Sequence, residues 1–280
     1  MKNTLLFFLL LFSFSTAYPQ VKISSSSGAD EVFVASKQDT LDICVLKAQY
    51  RMEYFEDAKN PAKRKNYFML LQIGKKTSKF SDYFGLKVDS MHAVYARQKM
   101  SFSEVVNRTM PMYIGTSTLN VFKNYPKDKV TVTDRAALAG NFKYSEDKIN
   151  FKWKLQQGSA TICGYRCKKA TTTFRGRNYT AWYAPDIPNS DGPWKFSGLP
   201  GLILKVSDDT DDYSFVCVAI EKQKSREYIY MNDKNYFKTT RERFNITAKN
   251  AIANPEPYAE SIGVNLPKKK TRLYNPIELE

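Results

Sequence analysis

The chain is predicted to be an α+β protein: one curved, mainly antiparallel sheet of about eight to ten strands with a few packing helices. Three observations predict it. Strand-length segments rich in aromatic and β-branched residues recur along the 280 residues, and 14% of the chain is aromatic. Most links between those segments are short and rich in Gly, Pro and Asp, which favours antiparallel neighbours. Helical spacing of apolar residues shows clearly in only two places.

The first twenty residues, MKNTLLFFLLLFSFSTAYPQ, have a positive start, an apolar run from Leu5 to Phe14 and small residues at Ser15–Ala17. Residues 1–17 therefore read as a secretory signal peptide. No Cys precedes Cys44, so no lipid anchor is expected after cleavage. No later run approaches the roughly 18 apolar residues of a spanning helix, so no transmembrane segment is expected in the mature chain. Residues 18–40, Ser-rich, read as a flexible lead-in.

The body follows as a single domain over 41–255. "KAQYRMEYFED" and "NYFMLLQIG" read as strands joined by "NPAKRKN". In "SDYFGLKVDSMHAVYARQK", Phe84, Val88, Met91 and Tyr95 share one face of a helix. "TLNVFKNYP", "KVTVTDR" and "GNFKYSED" read as strands, as do "KINFKWKLQ", "SATICGYRCKKATTTF", "RNYTAWYAP", "GLILKVSDD" and "DYSFVCVAIEK". The last is apolar on both faces, which predicts cover on both sides. Phe237, Phe244, Ala248 and Ala251 then recur at helical spacing, with Thr239 and Glu242 spaced for a capping box and Pro255 as the stop. Residues 256–280 read as an extended, loosely docked basic tail.

The net charge of +15 invites anionic partners: a lipid headgroup, a glycan or an acidic outer-membrane protein. The basic residues are dispersed, with clusters only in "NPAKRKN" and "PKKKTR", and no nucleic-acid motif accompanies them, so nucleic acid is not expected. His92 is the only histidine and is read as packed or surface-bound. Neither a metal site nor a cofactor nor a catalytic pair is predicted. In an oxidising compartment Cys44, Cys163, Cys167 and Cys217 are disulfide candidates with the pairing open. Four residues of strand span about 13 Å, too far for Cys163 to bond Cys167 unless Gly164 opens a turn. "SDDTDDYS" lacks the Gly and closing Glu of a calcium loop and is read as a hairpin turn of solvated acids.

The densest punctuation is "GPWKFSGLPGLILKV", Gly192–Val206. Pro200 and Gly201 predict a type II turn, Gly198 adds backbone freedom, and Leu199 plugs a gap before Leu202 and Ile203 enter a buried strand. Trp182, Tyr183 and Trp194 are near enough in sequence to wall one pocket. With Lys169-Ala170, Gly176-Arg177, Ala181-Trp182-Tyr183 and Ile187-Pro188 in order around it, the stretch Gly164–Asp208 resembles the GLPGLI family, named after the residues found here at Gly198–Ile203. This resemblance implies an exported, periplasmic or surface protein of a Gram-negative bacterium of the Bacteroidota, in a Porphyromonas-type family without an established reaction. Candidate ligand or partner residues are Arg177, Trp182, Tyr183, Asp186, Trp194 and Lys195. The expected function is non-enzymatic binding or carriage of a lipid, glycan or outer-membrane partner. The alternatives are an envelope assembly module, or a hydrolase drawing on Glu53, Glu56, Asp186 or Asp191.

Overall fold

β1 (Gln38–Phe55) shows why a sheet forms. From Cys44 to Met52 its even positions are buried and its odd positions face outward or lie at half depth, the period-2 pattern of a strand with one covered face. A computed structural model describes residues 31–57, 64–113, 115–261, 263, 265–266 and 274–280. The expected signal peptide, the expected lead-in up to residue 30, most of "NPAKRKN" and all of "PKKKTR" lie outside the described residues.

After β1 come β2 (Arg64–Gly74), β3 (Ser78–Asp82), α1 (Tyr83–Arg97), α2 (Phe102–Tyr113), β4 (Asn120–Lys123), β5 (Lys129–Ala136) and β6 (Gly140–Asp147). The second half holds β7 (Lys154–Ile162), β8 (Tyr165–Phe174), β9 (Arg177–Ala184), β10 (Leu202–Asp208), β11 (Tyr213–Lys222), β12 (Tyr228–Asn232), β13 (Phe237–Lys238), α3 (Arg241–Ala253) and α4 (Glu256–Glu260). The thirteen strands form one open sheet in the order β13-β6-β5-β4-β3-β2-β1-β11-β10-β9-β8-β7, with β12 also on β1. It is antiparallel except for β13 on β6. Two meanders thus meet at the β1–β11 pair.

Connectivity requires the curvature. β6 and β7 stand ten strands apart, roughly 48 Å in a flat sheet. The chain between Asp147 and Lys154 reaches at most about 25 Å. The sheet must therefore curl until these strands approach, and the core fills its concave side. "KINFKWKLQ" is accordingly a crossing before it is a strand: β7 begins only at Lys154, and Phe151 and Trp153 plug the concave side from the link.

Other expectations shift in ways the backbone explains. "SATICGYRCKKATTTF" is a hairpin, not one strand. Cys163 (φ 50°) and Gly164 (φ 80°) form a two-residue turn between paired Ile162 and Tyr165, the positive-φ geometry that matches strand twist. Arg175 (φ 46°) and Gly176 (φ 79°) repeat it between β8 and β9. β11 is covered on one face only: Phe215 and Cys217 are buried, while Val218 is 44% exposed. Phe237 lies in β13, and the cap of α3 is Thr240, which accepts from the Arg243 amide, not Thr239. The part of the lead-in that is described is docked, since Phe33 N donates to Met100 O and β1 starts at Gln38.

Candidate ligand cavity and the Gly198–Ile203 corner

The loop from β9 to β10 explains its own composition. It leaves the sheet at Pro185, crosses the concave face and returns at Leu202. On the way it lays Phe196 into an aromatic cluster, with ring centroids 4.8 Å from Tyr179, 5.2 Å from Trp194, 5.4 Å from Phe151 and 6.2 Å from Phe215. Ring pairs of this kind add about 0.5–1.5 kcal/mol each beyond burial. Trp153 Nε1 donates to Ser197 O at 2.8 Å, and Lys123 Nζ donates to Gly192 O at 2.6 Å while pairing with Asp191.

Four residues of the hexapeptide are buried, while Gly198 and Pro200 are exposed. Leu199, Leu202 and Ile203 are at most 1% exposed. Gly201 N donates to Leu199 O at 2.8 Å, a three-residue turn centred on Pro200 in place of the expected type II turn. Gly201 sits at φ 147°, and a Cβ there would lie 2.2 Å from Ala184 O. Leu202 N and Ile203 N are held by Ile187 O and Asp191 O, and Tyr50 Oη donates to Ile203 O at 2.7 Å.

The candidate residues separate into three places. Arg177 is a clasp: it pairs with Asp208 and with Asp212 at 3.0 Å, and donates to Asn275 Oδ1 at 2.7 Å and Pro276 O at 2.8 Å. Asp208 is buried, also accepting from Tyr213 N, so the acid run is not wholly a solvated turn. Trp182 alternates with Tyr183 on β9, so Tyr183 faces the core and Trp182 the opposite face. The two tryptophans therefore do not wall one pocket. Asp186 is exposed beyond β9. Trp194, held at φ 49°, and Lys195 line a cavity.

That cavity, about 620 Å³, lies between the concave sheet, α3 and the last residues of the chain. Tyr67, Tyr54 and Tyr213 stack along one wall, with centroid spacings of 6.0 and 5.2 Å and interplanar angles of 14° and 4°. Burial raises the Tyr54 and Tyr213 hydroxyls above the ordinary range, which keeps them protonated donors. Phe244, Ala248 and Ile252 of α3 supply the opposite wall. At its polar end Asp134 accepts from Thr118 Oγ1 at 2.6 Å and Arg135 N at 2.7 Å, and burial pushes its carboxyl up to about 6.

The C-terminal residues close this cavity, so the chain end is not loosely docked. Glu278 is 5% exposed and meets Lys195 Nζ at 2.6 Å, Arg175 at 2.6 Å and Arg241 at 3.3 Å. Glu146 joins the cluster through Lys195 at 2.6 Å and through Arg175. Tyr213 Oη and Tyr179 Oη donate to Asn275 O and Ile277 O. Asp134, Glu146, Glu278 and the tyrosine stack escaped the sequence reading. Nothing in local spacing links Lys195 with a residue 83 positions later.

The other sequence candidates are accounted for individually. All four cysteines are free thiols, so no disulfide is formed. Cys163 nevertheless neighbours Cys217, whose thiol burial and that neighbour push upward, while Cys44 is separately buried beside Glu227. His92 packs at 4.9 Å from Phe33, 3.3 Å from Thr109 Oγ1, and burial lowers its pKa. Glu53 is taken by Arg51 and Arg64, Glu56 at the cavity rim by Lys65 at 3.4 Å, and Asp191 by Lys123. Among the described residues no group of three or more His, Cys, Asp or Glu is placed to hold a metal, and no helix is long and apolar enough to cross a membrane.

No curated protein matches the chain. Two solved structures of PNGF-II, in the P21 and C2 space groups, are similar at 15% and 16% identity with TM-scores of 0.47 and 0.46. They cover 73% of this chain, which spans about a third of theirs, 33% and 32%. Residues 173–205, from the end of β8 through the hexapeptide into β10, match the family described as a protein of unknown function (Porph_ging), the Porphyromonas-type family to which the GLPGLI residues point.

Proposed function

We propose that this chain is an exported, non-enzymatic binding protein that carries an amphiphilic small molecule of the lipid type in the cavity between the concave sheet and α3. The observation that carries the reading is the cavity itself: about 620 Å³, walled by stacked tyrosines and an apolar helix face, with Asp134 among the carboxyls that line it. This is the size and lining of a site for a drug-sized ligand. The tyrosine hydroxyls and Asp134 would orient a head bearing hydroxyl or ammonium donors, and Met52, Phe244 and Ile252 would take its apolar part. Asp134 favours a cationic head as pH rises through about 6 and its carboxyl ionises. The apolar N-terminal run that reads as a signal peptide supports export. An assembly module is the second reading, favoured by the apolar residues of the hexapeptide, Leu199, Leu202 and Ile203, being consumed in packing.

A fluorescence titration with N-phenyl-1-naphthylamine, a neutral apolar probe, tests the cavity. Wild type is expected to bind it, and Asn245→Trp or Ala248→Phe, which fill the cavity from α3, to weaken binding by about tenfold or more with unfolding temperature little changed. Absence of binding, or equal binding by both filled variants, would contradict the reading.

A further inference from the structure

The opposite face of the sheet carries a second set of observations, independent of the cavity. Strand register fixes which side chains stand side by side there. Across β1, β11, β10, β9, β8 and β7, one row runs Arg51, Val216, Lys205, Trp182, Lys169, Gln156. The next row runs Glu53, Ser214, Ser207, Thr180, Thr171, Lys154. All twelve are exposed or half-buried.

The chemistry of the two rows is uneven in a useful way. Arg51, Lys205, Lys169 and Lys154 are cationic, and the single carboxylate, Glu53, is already held by Arg51 at 3.2 Å and Arg64 at 2.8 Å. The cations therefore dominate the field over this face. Four hydroxyl side chains stand consecutively beside them, from Ser214 to Thr171. Trp182 lies at the centre. The Lys169 ammonium is 6.0 Å from its ring centroid, and the far edge of the ring reaches over Gly158 of β7, where a Cβ would lie 3.6 Å away. Gly158 marks a bulge, with a register shift between Gln156 and Ser159 and φ 125°. A glycine at that position leaves the platform around the indole low and open.

We propose that this face binds an anionic polysaccharide, laid across the strands over Trp182. Sugar rings stack on an indole through their C–H faces, carboxylate or sulfate groups pair with the flanking lysines, and sugar hydroxyls exchange hydrogen bonds with the Ser/Thr row. Strands repeat every 4.7–4.9 Å or so, close to the rise of one pyranose unit along an extended glycan, so successive sugars meet side chains of successive strands along each row. A globular protein partner would not need that repeat, and a nucleic acid would not need the hydroxyl row.

The test uses the full mature chain with polygalacturonate as probe, followed by isothermal calorimetry. The expected result is binding that weakens with added salt, with no binding of neutral dextran. Trp182→Ala is expected to weaken binding about tenfold, and the double variant Lys169→Gln/Lys205→Gln to do the same and to flatten the salt dependence. The lysine variant keeps the test decisive if Trp182→Ala does not fold. No binding of polygalacturonate, binding unaffected by the lysine variant, or equal binding of inorganic polyphosphate that ignores Trp182 would each overturn the proposal. Unchanged probe binding in the internal cavity by these variants is the result expected of two separate sites.

Discussion

Replacing Gly201 with alanine is expected to cost about 3 kcal/mol or more of stability, enough to leave little folded protein. Two effects combine at this position. The backbone sits at φ 147°, where an L side chain is strained, and the added Cβ would stand 2.2 Å from Ala184 O and 2.9 Å from Pro185 Cα. Neither neighbour is a side chain that can swing away. Relief would require separating β9 from β10 where Ala184 pairs with Leu202. That separation would also loosen the loop that carries Phe196 into the core. Chemical denaturation of Gly201→Ala beside Gly198→Ala separates the two glycines. Gly198 has φ 93° but a Cβ there would stand 3.8 Å from Trp153 Nε1, so strain acts there without collision and the loss is expected to be smaller. Equal stability of Gly201→Ala and wild type would show that the corner is not a folding element.

The second large effect is expected at Glu278. Its truncation to alanine removes a carboxylate shared by Lys195, Arg175 and Arg241, in surroundings where Lys195 is 1% exposed. Removing one partner from a buried charged cluster costs up to about 3 kcal/mol, because Lys195 and Arg175 then share Glu146 alone as their carboxylate. Urea denaturation should show this loss, with Glu278→Gln falling between, since the amide still accepts from Lys195. The cluster also sets an acid limit. Burial alone would raise the Glu146 carboxyl, but Lys195 and Arg175 hold it below its ordinary value of 4.5. A carboxyl depressed in the folded state stabilises fully above its unfolded value and loses that contribution as pH falls through the folded one. Wild-type stability should therefore fall below about pH 4.5. A Glu278→Ala protein as stable as wild type would show that the C-terminal residues are not anchored by this cluster.

The sheet was legible because alternation and turn residues are local signals. Burial alternates along β1 as its sequence does, and the tight links do return the chain antiparallel. α1 and α3 were legible for the same reason, through Val88 and through Phe244, Ala248 and Ala251. α2 was not, because its twelve residues include Pro111 and only Val105 and Thr109 are buried. Cys163–Gly164 was hidden as a turn because the residues on either side are equally strand-like. The candidate site was less legible than the fold. Trp182 and Trp194 look like neighbours in sequence, but strand parity puts Trp182 on the face away from the core and the returning loop puts Trp194 inside. The residues that close the cavity come from β6, the β9–β10 loop, α3 and the chain end. Only the curl of the sheet and the return of the C-terminus bring them together, and no spacing rule encodes either.

The most direct measurement is native mass spectrometry of the protein isolated from its own host, with lipid extraction of the same sample. A lipid-type amphiphile should accompany wild type at one per chain and be absent from Asn245→Trp, which blocks the cavity beside α3. Wild type recovered without any such molecule, or a filled variant that retains it, would contradict a carrier function for the cavity.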